Sequence, residues 1–274
     1  MQTVHSHGAQ IPALGFGTYS MGRPDMVRMI PAALKGGFRH IDTAQIYRNE
    51  TEVGEGVAAS GIPRSEIFIT TKVWVSNYPR EVFEHSVDES LRKLRSDYID
   101  LLLLHWPNSS VPLAEQIDGL NAVVKAGKVR HIGVSNFNRQ LMAEAMRLSQ
   151  HPLVTNQVEY HPYLDQKVLI EAARGAGLAV MGYCGMAIGR VLSDPTLAEI
   201  AKEHARTIPQ IVLRWLIQQD GVVALSRTTN PERIAENVAI FDFELTAEDR
   251  RRIESLVSPN SRIVDPPGLA PVWD

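Results

Sequence analysis

The chain has 274 residues, 44% of them apolar, and a formal net charge of −3, so it can bury a sizeable core as one large barrel or as two smaller domains. The small negative charge excludes a broad electrostatic footprint for nucleic acid or an anionic membrane surface. One cysteine, Cys184, excludes an intramolecular disulfide and a thiolate metal cluster, and no apolar run approaches the roughly 20 residues of a membrane span; small-molecule partners and a reducing, cytoplasmic setting are expected.

Residues 3–12 read as two short strands around a turn containing Gly8, a hairpin able to plug one end of a barrel. Eight short, mostly apolar runs follow at 14–18, 39–42, 67–73, 99–105, 131–135, 154–159, 179–183 and 222–225, as expected of strands buried on both faces. Segments of helical periodicity fit between them, the rhythm of βα units around a parallel sheet. Pro and Gly fall at the joints and no linker or composition shift interrupts the chain, so one domain, 1–274, is preferred. The α/β reading is a single (β/α)8 TIM barrel with its N-terminal hairpin as a plug. The stretch 264–273 carries three prolines and is expected to lie on the surface or over a pocket.

Chemistry-bearing residues punctuate the strand ends. Asp42 closes the second run, with Tyr47 five residues on; Lys72 stands near the end of the third and His105 closes the fourth. In an eight-stranded βα barrel those C-terminal ends are where catalytic groups gather. A buried ammonium beside a phenol favours the phenolate, so Lys72 is expected to lower the pKa of Tyr47, with Asp42 holding the lysine charged and oriented. His105 is placed to hydrogen-bond a carbonyl oxygen. The hydride that a carbonyl reduction needs must come from a cofactor, since no side chain supplies one.

These residues sit in motifs that resemble the aldo-keto reductase family over nearly the whole chain. GFRHIDTAQIYRNETEVG at 37–54, TKVW at 71–74, LLLLHWP at 101–107, GKVRHIGVSNF at 127–137 and NQVEYHPYL at 156–164 carry the resemblance, and the chain looks most similar to prokaryotic members typified by diketogluconate reductases. The resemblance implies reduction of aldehydes or ketones with NADPH, which leaves as NADP+. It makes Tyr47 the general acid, Lys72 and Asp42 its activating pair, and His105 the group that orients the carbonyl. It further implies that Ser135, Asn136 and Gln157 bind the nicotinamide carboxamide and that Tyr183 stacks on the ring. Thr18 and Asp42 are implied as neighbours of the cofactor, and Arg227, Thr228, Arg233, Glu236 and Asn237 as its adenosine-phosphate site. Arg227-Thr228 stands where Lys-Ser is usual in the family, which retains a cation and a hydroxyl for a 2′-phosphate. Residues 184–189 depart from the family's Ser-Pro-Leu. Gly15 to Ser20 lacks the glycine pattern and context of a Rossmann fingerprint. Tyr19, Trp74, His105, Trp106 and Trp273 are expected to line an open, aromatic substrate pocket. A monomer is expected, with no nucleic acid, membrane or metal as partner.

Each residue alone has a plainer reading. Asp42 as a helix cap, Tyr47 as a surface aromatic, Lys72 as a snorkelling lysine and His105 as a core histidine would each be preferred singly; their joint placement reverses that. Glu159 and His161 alternate on one strand end, but two ligands without a third are weak grounds for a metal. Cys184 reads as a small packed hydrophobe, and Arg250-Arg251-Arg252, flanked by acids, as a solvated helix face. Two alternative functions fit the same barrel: a cofactor-binding regulatory protein with slow turnover, and an aldolase-like enzyme using Lys72 as a Schiff-base amine.

Overall fold

The computed structural model describes residues 2–274. Strands β1 (Thr3–Ser6) and β2 (Ala9–Pro12) pair antiparallel across His7 and Gly8, whose φ angles are +44° and +89°. Two successive left-handed residues make the turn whose twist matches a hairpin, and glycine takes the second place without steric cost.

The next eight strands are β3 (Leu14–Gly17), β4 (His40–Asp42), β5 (Phe68–Val73), β6 (Ile99–Leu104), β7 (Val129–Ser135), β8 (Leu153–Glu159), β9 (Ala179–Tyr183) and β10 (Val222–Ser226). They run parallel in chain order and close into a barrel, β10 pairing with β3. Around them lie α1 (Arg23–Lys35), α2 (Glu50–Ser60), α3 (Arg80–Leu94), α4 (Leu113–Lys125), α5 (Arg139–Leu148), α6 (Lys167–Gly175), α7 (Pro195–Glu203), α8 (Ile208–Ile217), α9 (Glu232–Val238) and α10 (Ala247–Glu254). The eight runs of the sequence fall on these strands. Among the described residues no helix is long and apolar enough to cross a membrane.

The period of two along a strand decides which side chains enter the barrel. On β6, Leu102 and Leu104 join the core beneath the helices, whereas Leu101 and Leu103 join an inner cluster with Val154, Ala179, Met181 and Val223. On β5, Ile69 and Val73 face the helices, which sends Lys72 to the barrel axis. The same phase on β4 buries Ile41 outside and turns Asp42 inward. Ala9 and Ile11 of the hairpin complete the inner cluster, and Ser6 Oγ shares its one proton between the carbonyls of Val154 and Gly177, 2.7 and 2.9 Å away, so the hairpin plugs the end where strands begin.

Gly54 marks a close helix contact. A Cβ there would stand 2.5 Å from the Lys93 carbonyl oxygen and 2.7 Å from that of Leu94, so α2 meets the end of α3 backbone to side-chain-free backbone. Gly54→Ala is expected to destabilise the fold by about 1–3 kcal/mol through overpacking, although alanine is the better helix former. Urea unfolding checks this, and unchanged stability would mean that α2 shifts freely.

Candidate active site

Asp42, Tyr47, Lys72 and His105 converge at the C-terminal mouth of the barrel. Lys72 is fully buried; its Nζ donates to Asp42 Oδ1 at 2.7 Å and to the Thr43 carbonyl at 2.9 Å. Asp42 Oδ2 accepts from Gln157 Nε2 at 2.7 Å, so each carboxylate oxygen has a donor. Tyr47 ends a short 3-10 turn (Gln45–Tyr47) just past β4, and Arg48 after it takes the left-handed conformation, φ +56°. The Tyr47 ring lies 5.6 Å from the His105 ring, edge on, and Lys72 Nζ is 5.2 Å from its centroid.

Lys72 is held by Asp42 and Thr43, while burial, and next the Asp42 charge, push Tyr47 well above the ordinary tyrosine range. Tyr47 is therefore a protonated phenol at neutral pH. Burial lowers Lys72, with Asp42 opposing the shift; what argues against a Schiff-base role is that its Nζ is engaged by the Asp42 carboxylate and the Thr43 carbonyl, contacts that favour the ammonium over a free amine. Burial, then the charge of Lys72, holds His105 well below the usual histidine range, so its ring is neutral. Its Nδ1 is buried without a hydrogen-bond partner among the described residues.

A second cluster adjoins the first. Ser135 and Gln157 are register partners across β7 and β8, as are Gln157 and Met181 across β8 and β9. Ser135 Oγ donates to the Gln157 carbonyl at 2.8 Å, while Asn136 Nδ2 reaches the His105 carbonyl at 3.0 Å and Ser135 Oγ at 3.1 Å. Tyr183 OH donates to Asn136 Oδ1 at 2.7 Å. Asn136 adopts φ +63°, a conformation that asparagine tolerates better than most residues. The carboxamide and ring-stacking residues of the sequence reading thus form one hydrogen-bonded patch continuous with Asp42.

Residues 13–258 match the aldo/keto reductase family. The chain belongs to that family. It is similar to a methylglyoxal reductase DkgB of Salmonella typhi, 39% identical over 267 residues that cover 96% of this chain and 99% of that one. A glyoxal reductase of Bacillus subtilis (strain 168) is 38% identical, covering 94% and 95% of the two chains. A crystal structure bearing the provisional designation 2,5-diketo-D-gluconic acid reductase B superposes with a TM-score of 0.99 at 58% identity, covering 100% of this chain and 98% of that one.

In this aldo/keto reductase the residues expected at the substrate pocket form aromatic pairs. Trp74 lies edge on to His105 at 5.3 Å, Tyr19, 66% exposed, lies edge on to Tyr47 at 5.1 Å, and Trp106 meets Trp273 at 6.4 Å. Tyr78 is a contributor that sequence reasoning missed: its OH donates to the Trp106 carbonyl at 2.8 Å and accepts from the Trp106 amide at 3.2 Å, fixing the backbone beside His105. A phenol 28 residues from its backbone partner leaves no local signal.

The segment after β10, expected from the resemblance to hold the adenosine phosphate, divides into exposed and engaged residues. Arg227 and Arg233 are exposed; Arg227 donates to the Ser20 carbonyl at 3.1 Å, and neither makes an ion pair among the described residues. Thr228 Oγ1 accepts from the Asn230 amide. Glu236 accepts from the Thr207 hydroxyl, and Asn237 is buried, donating to Ser226 Oγ at 2.7 Å. Asn237 thus ties α9 to β10 in this structure. Thr18 is buried too, its hydroxyl donating to the Asp42 carbonyl at 3.0 Å, which places it in the wall beneath the site. In the departing loop Cys184, Ala187 and Ile188 take φ of +60°, +46° and +51°, and Ile188 is 79% exposed. A β-branched residue in that region is strained.

Proposed function

We propose that the chain works as one barrel domain, residues 1–274, and as an NADPH-dependent reductase of small aldehydes and ketones, with α-dicarbonyls such as methylglyoxal and glyoxal as first substrates to try. The observation that carries this reading is the convergence of Asp42, Tyr47, Lys72 and His105 at the barrel mouth beside the Ser135–Asn136–Gln157 patch. The residues present fit a nicotinamide cofactor. Gln157 uses its amide nitrogen on Asp42 and Met181 and leaves its oxygen without a partner among the described residues, and Arg227 and Arg233 offer two exposed cations beside Thr228 for a 2′-phosphate.

NADPH, when bound, supplies the hydride. The protein supplies the rest: Tyr47 holds a proton at Oη for the carbonyl oxygen, and neutral His105 turns a ring nitrogen toward that same oxygen. Asp42, Lys72 and Gln157 form the charged, hydrogen-bonded floor that keeps Tyr47 in place. A monomer in a reducing, cytoplasmic setting completes the reading, in keeping with the lone half-buried thiol of Cys184.

Loss of NADPH absorbance with a panel of aldehydes and dicarbonyls tests the proposal. Many turnovers per enzyme are expected, and fewer than one would instead favour a cofactor-binding regulatory role. Removing both cations, Arg227→Ala with Arg233→Ala, is expected to raise KM for NADPH roughly tenfold or more while leaving KM for NADH nearly unchanged. Equal effects on the two cofactors would remove the 2′-phosphate from the account.

A further inference from the structure

Glu159 is the last residue of β8 and is fully buried, two positions beyond Gln157. It is a carboxylate that the reaction does not use, and its partners are unusual. Its Oε1 accepts from the Ile263 amide at 2.7 Å and its Oε2 from the Val264 amide at 2.8 Å. His161 Nε2 adds a third hydrogen bond at 2.9 Å, and because His161 Nδ1 accepts from the Tyr163 amide, the donor on Nε2 is fixed. These bonds hold the Glu159 carboxyl below its usual range against the cost of burial. The pair set aside as a metal site is a clamp on the C-terminal tail.

The tail has a second attachment. Asp274 Oδ2 accepts from the Arg139 amide at the start of α5 at 2.8 Å, and its Oδ1 meets Arg139 Nε at 3.2 Å. Asn138 Nδ2 also donates to the Val272 carbonyl at 2.8 Å. Between the two attachments stands Trp273. Its indole Nε1 donates to Asp265 Oδ1 at 2.8 Å, the Arg262 guanidinium covers its ring at 3.6 Å, and its edge meets Trp106, the neighbour of His105. Asn138, Arg139 and Gln140 together with Val272, Trp273 and Asp274 line a cleft of about 490 Å³. Polar contacts across that cleft seat the tail on this side.

We propose that Glu159 and Asp274 are positioning residues for substrate selectivity: the two carboxylates seat the tail across the mouth so that Trp273 stands as a fixed wall against Trp106. This rests on the carbonyl-reductase reading of the mouth. Glu159 is fully buried and the stronger anchor; the Asp274 side chain is 18% exposed but its partner Arg139 is 54% exposed, so that pair is the more screened of the two. A bulky carbonyl substrate, which reaches Trp273, depends on both. A small one, held at Tyr47 and His105, depends on neither.

The test compares methylglyoxal with phenylglyoxal in the full-length chain carrying Glu159→Gln, Asp274→Asn or Trp273→Ala. Glutamine keeps the shape of Glu159 but turns an NH2 toward one of the two backbone amides. KM for phenylglyoxal is expected to change roughly threefold to tenfold in Glu159→Gln, the size of one lost aromatic contact, and less in Asp274→Asn, with kcat for methylglyoxal unchanged in both. Combining Glu159→Gln with Trp273→Ala should add nothing to the Trp273→Ala effect on KM. Amide exchange at Ile263 and Val264 should speed up in Glu159→Gln, a readout independent of turnover. Additive effects in the double variant, equal effects on both substrates, or unchanged exchange would each overturn the proposal. If the wild type turns over no carbonyl but exchange still responds to Glu159→Gln, the clamp stands and the reductase reading is what fails.

Discussion

Tyr47→Phe is expected to lower kcat for carbonyl reduction by about 10²–10⁴-fold, the contribution typical of a positioned general acid, with the fold and the cofactor KM nearly unchanged. Phenylalanine keeps the edge contacts to Tyr19 and His105 and the proximity to Lys72, so only the proton is removed. Neighbouring groups do not replace it. His105 is neutral and Lys72 is buried on Asp42 and Thr43. Retained reduction in a folded Tyr47→Phe protein would sink the mechanism. The pH dependence has a definite sign. With the phenol held above the ordinary tyrosine range, the protonated form that reduction needs persists across neutral pH, and the reduction rate should stay flat until well into the alkaline range. The reverse alcohol oxidation needs the phenolate and should rise with pH over that same range. A reduction rate that falls through neutral pH would place the acid elsewhere.

Much of this site was legible because a parallel barrel puts its chemistry at strand ends and its strands announce themselves as short apolar runs. Asp42, Lys72 and His105 each stand at the end of such a run, and the motif from Gly37 to Gly54 carries Tyr47 onto the loop beyond. What was not legible depends on pairings across the chain. The sequence places Lys72 near Tyr47, but whether an ammonium turns to a phenol or to a carboxylate depends on register, and here it turns to Asp42. Glu159 looked like half a metal site because its partners lie 104 and 105 residues away in the tail. Asn237 donates to Ser226 across a turn whose shape no local pattern announces. Left-handed Ala187 and Ile188 follow no residue preference, since neither alanine nor isoleucine favours that region.

Lys72→Met is expected to lose carbonyl reduction and also to destabilise the fold by about 3–5 kcal/mol, the cost of leaving one partner of a buried ion pair behind. Asp42 would keep Gln157 as a donor at one oxygen, but its other oxygen would face the barrel axis with no compensating cation. The Thr43 carbonyl would lose its donor as well. The informative comparison is the double variant Asp42→Asn with Lys72→Met. Removing both charges together relieves the unpaired carboxylate, so the double variant should regain part of the stability that Lys72→Met loses. Reduction should not return with it. Tyr47 would then stand over an uncharged floor, without the pair that anchors the loop from Asp42 to Tyr47 through Thr43. Equilibrium unfolding in urea reads the first quantity and single-turnover reduction the second. A double variant no more stable than Lys72→Met would mean that the pair contributes little beyond its packing, whereas recovery of stability and rate together would mean that its charge matters only to the fold.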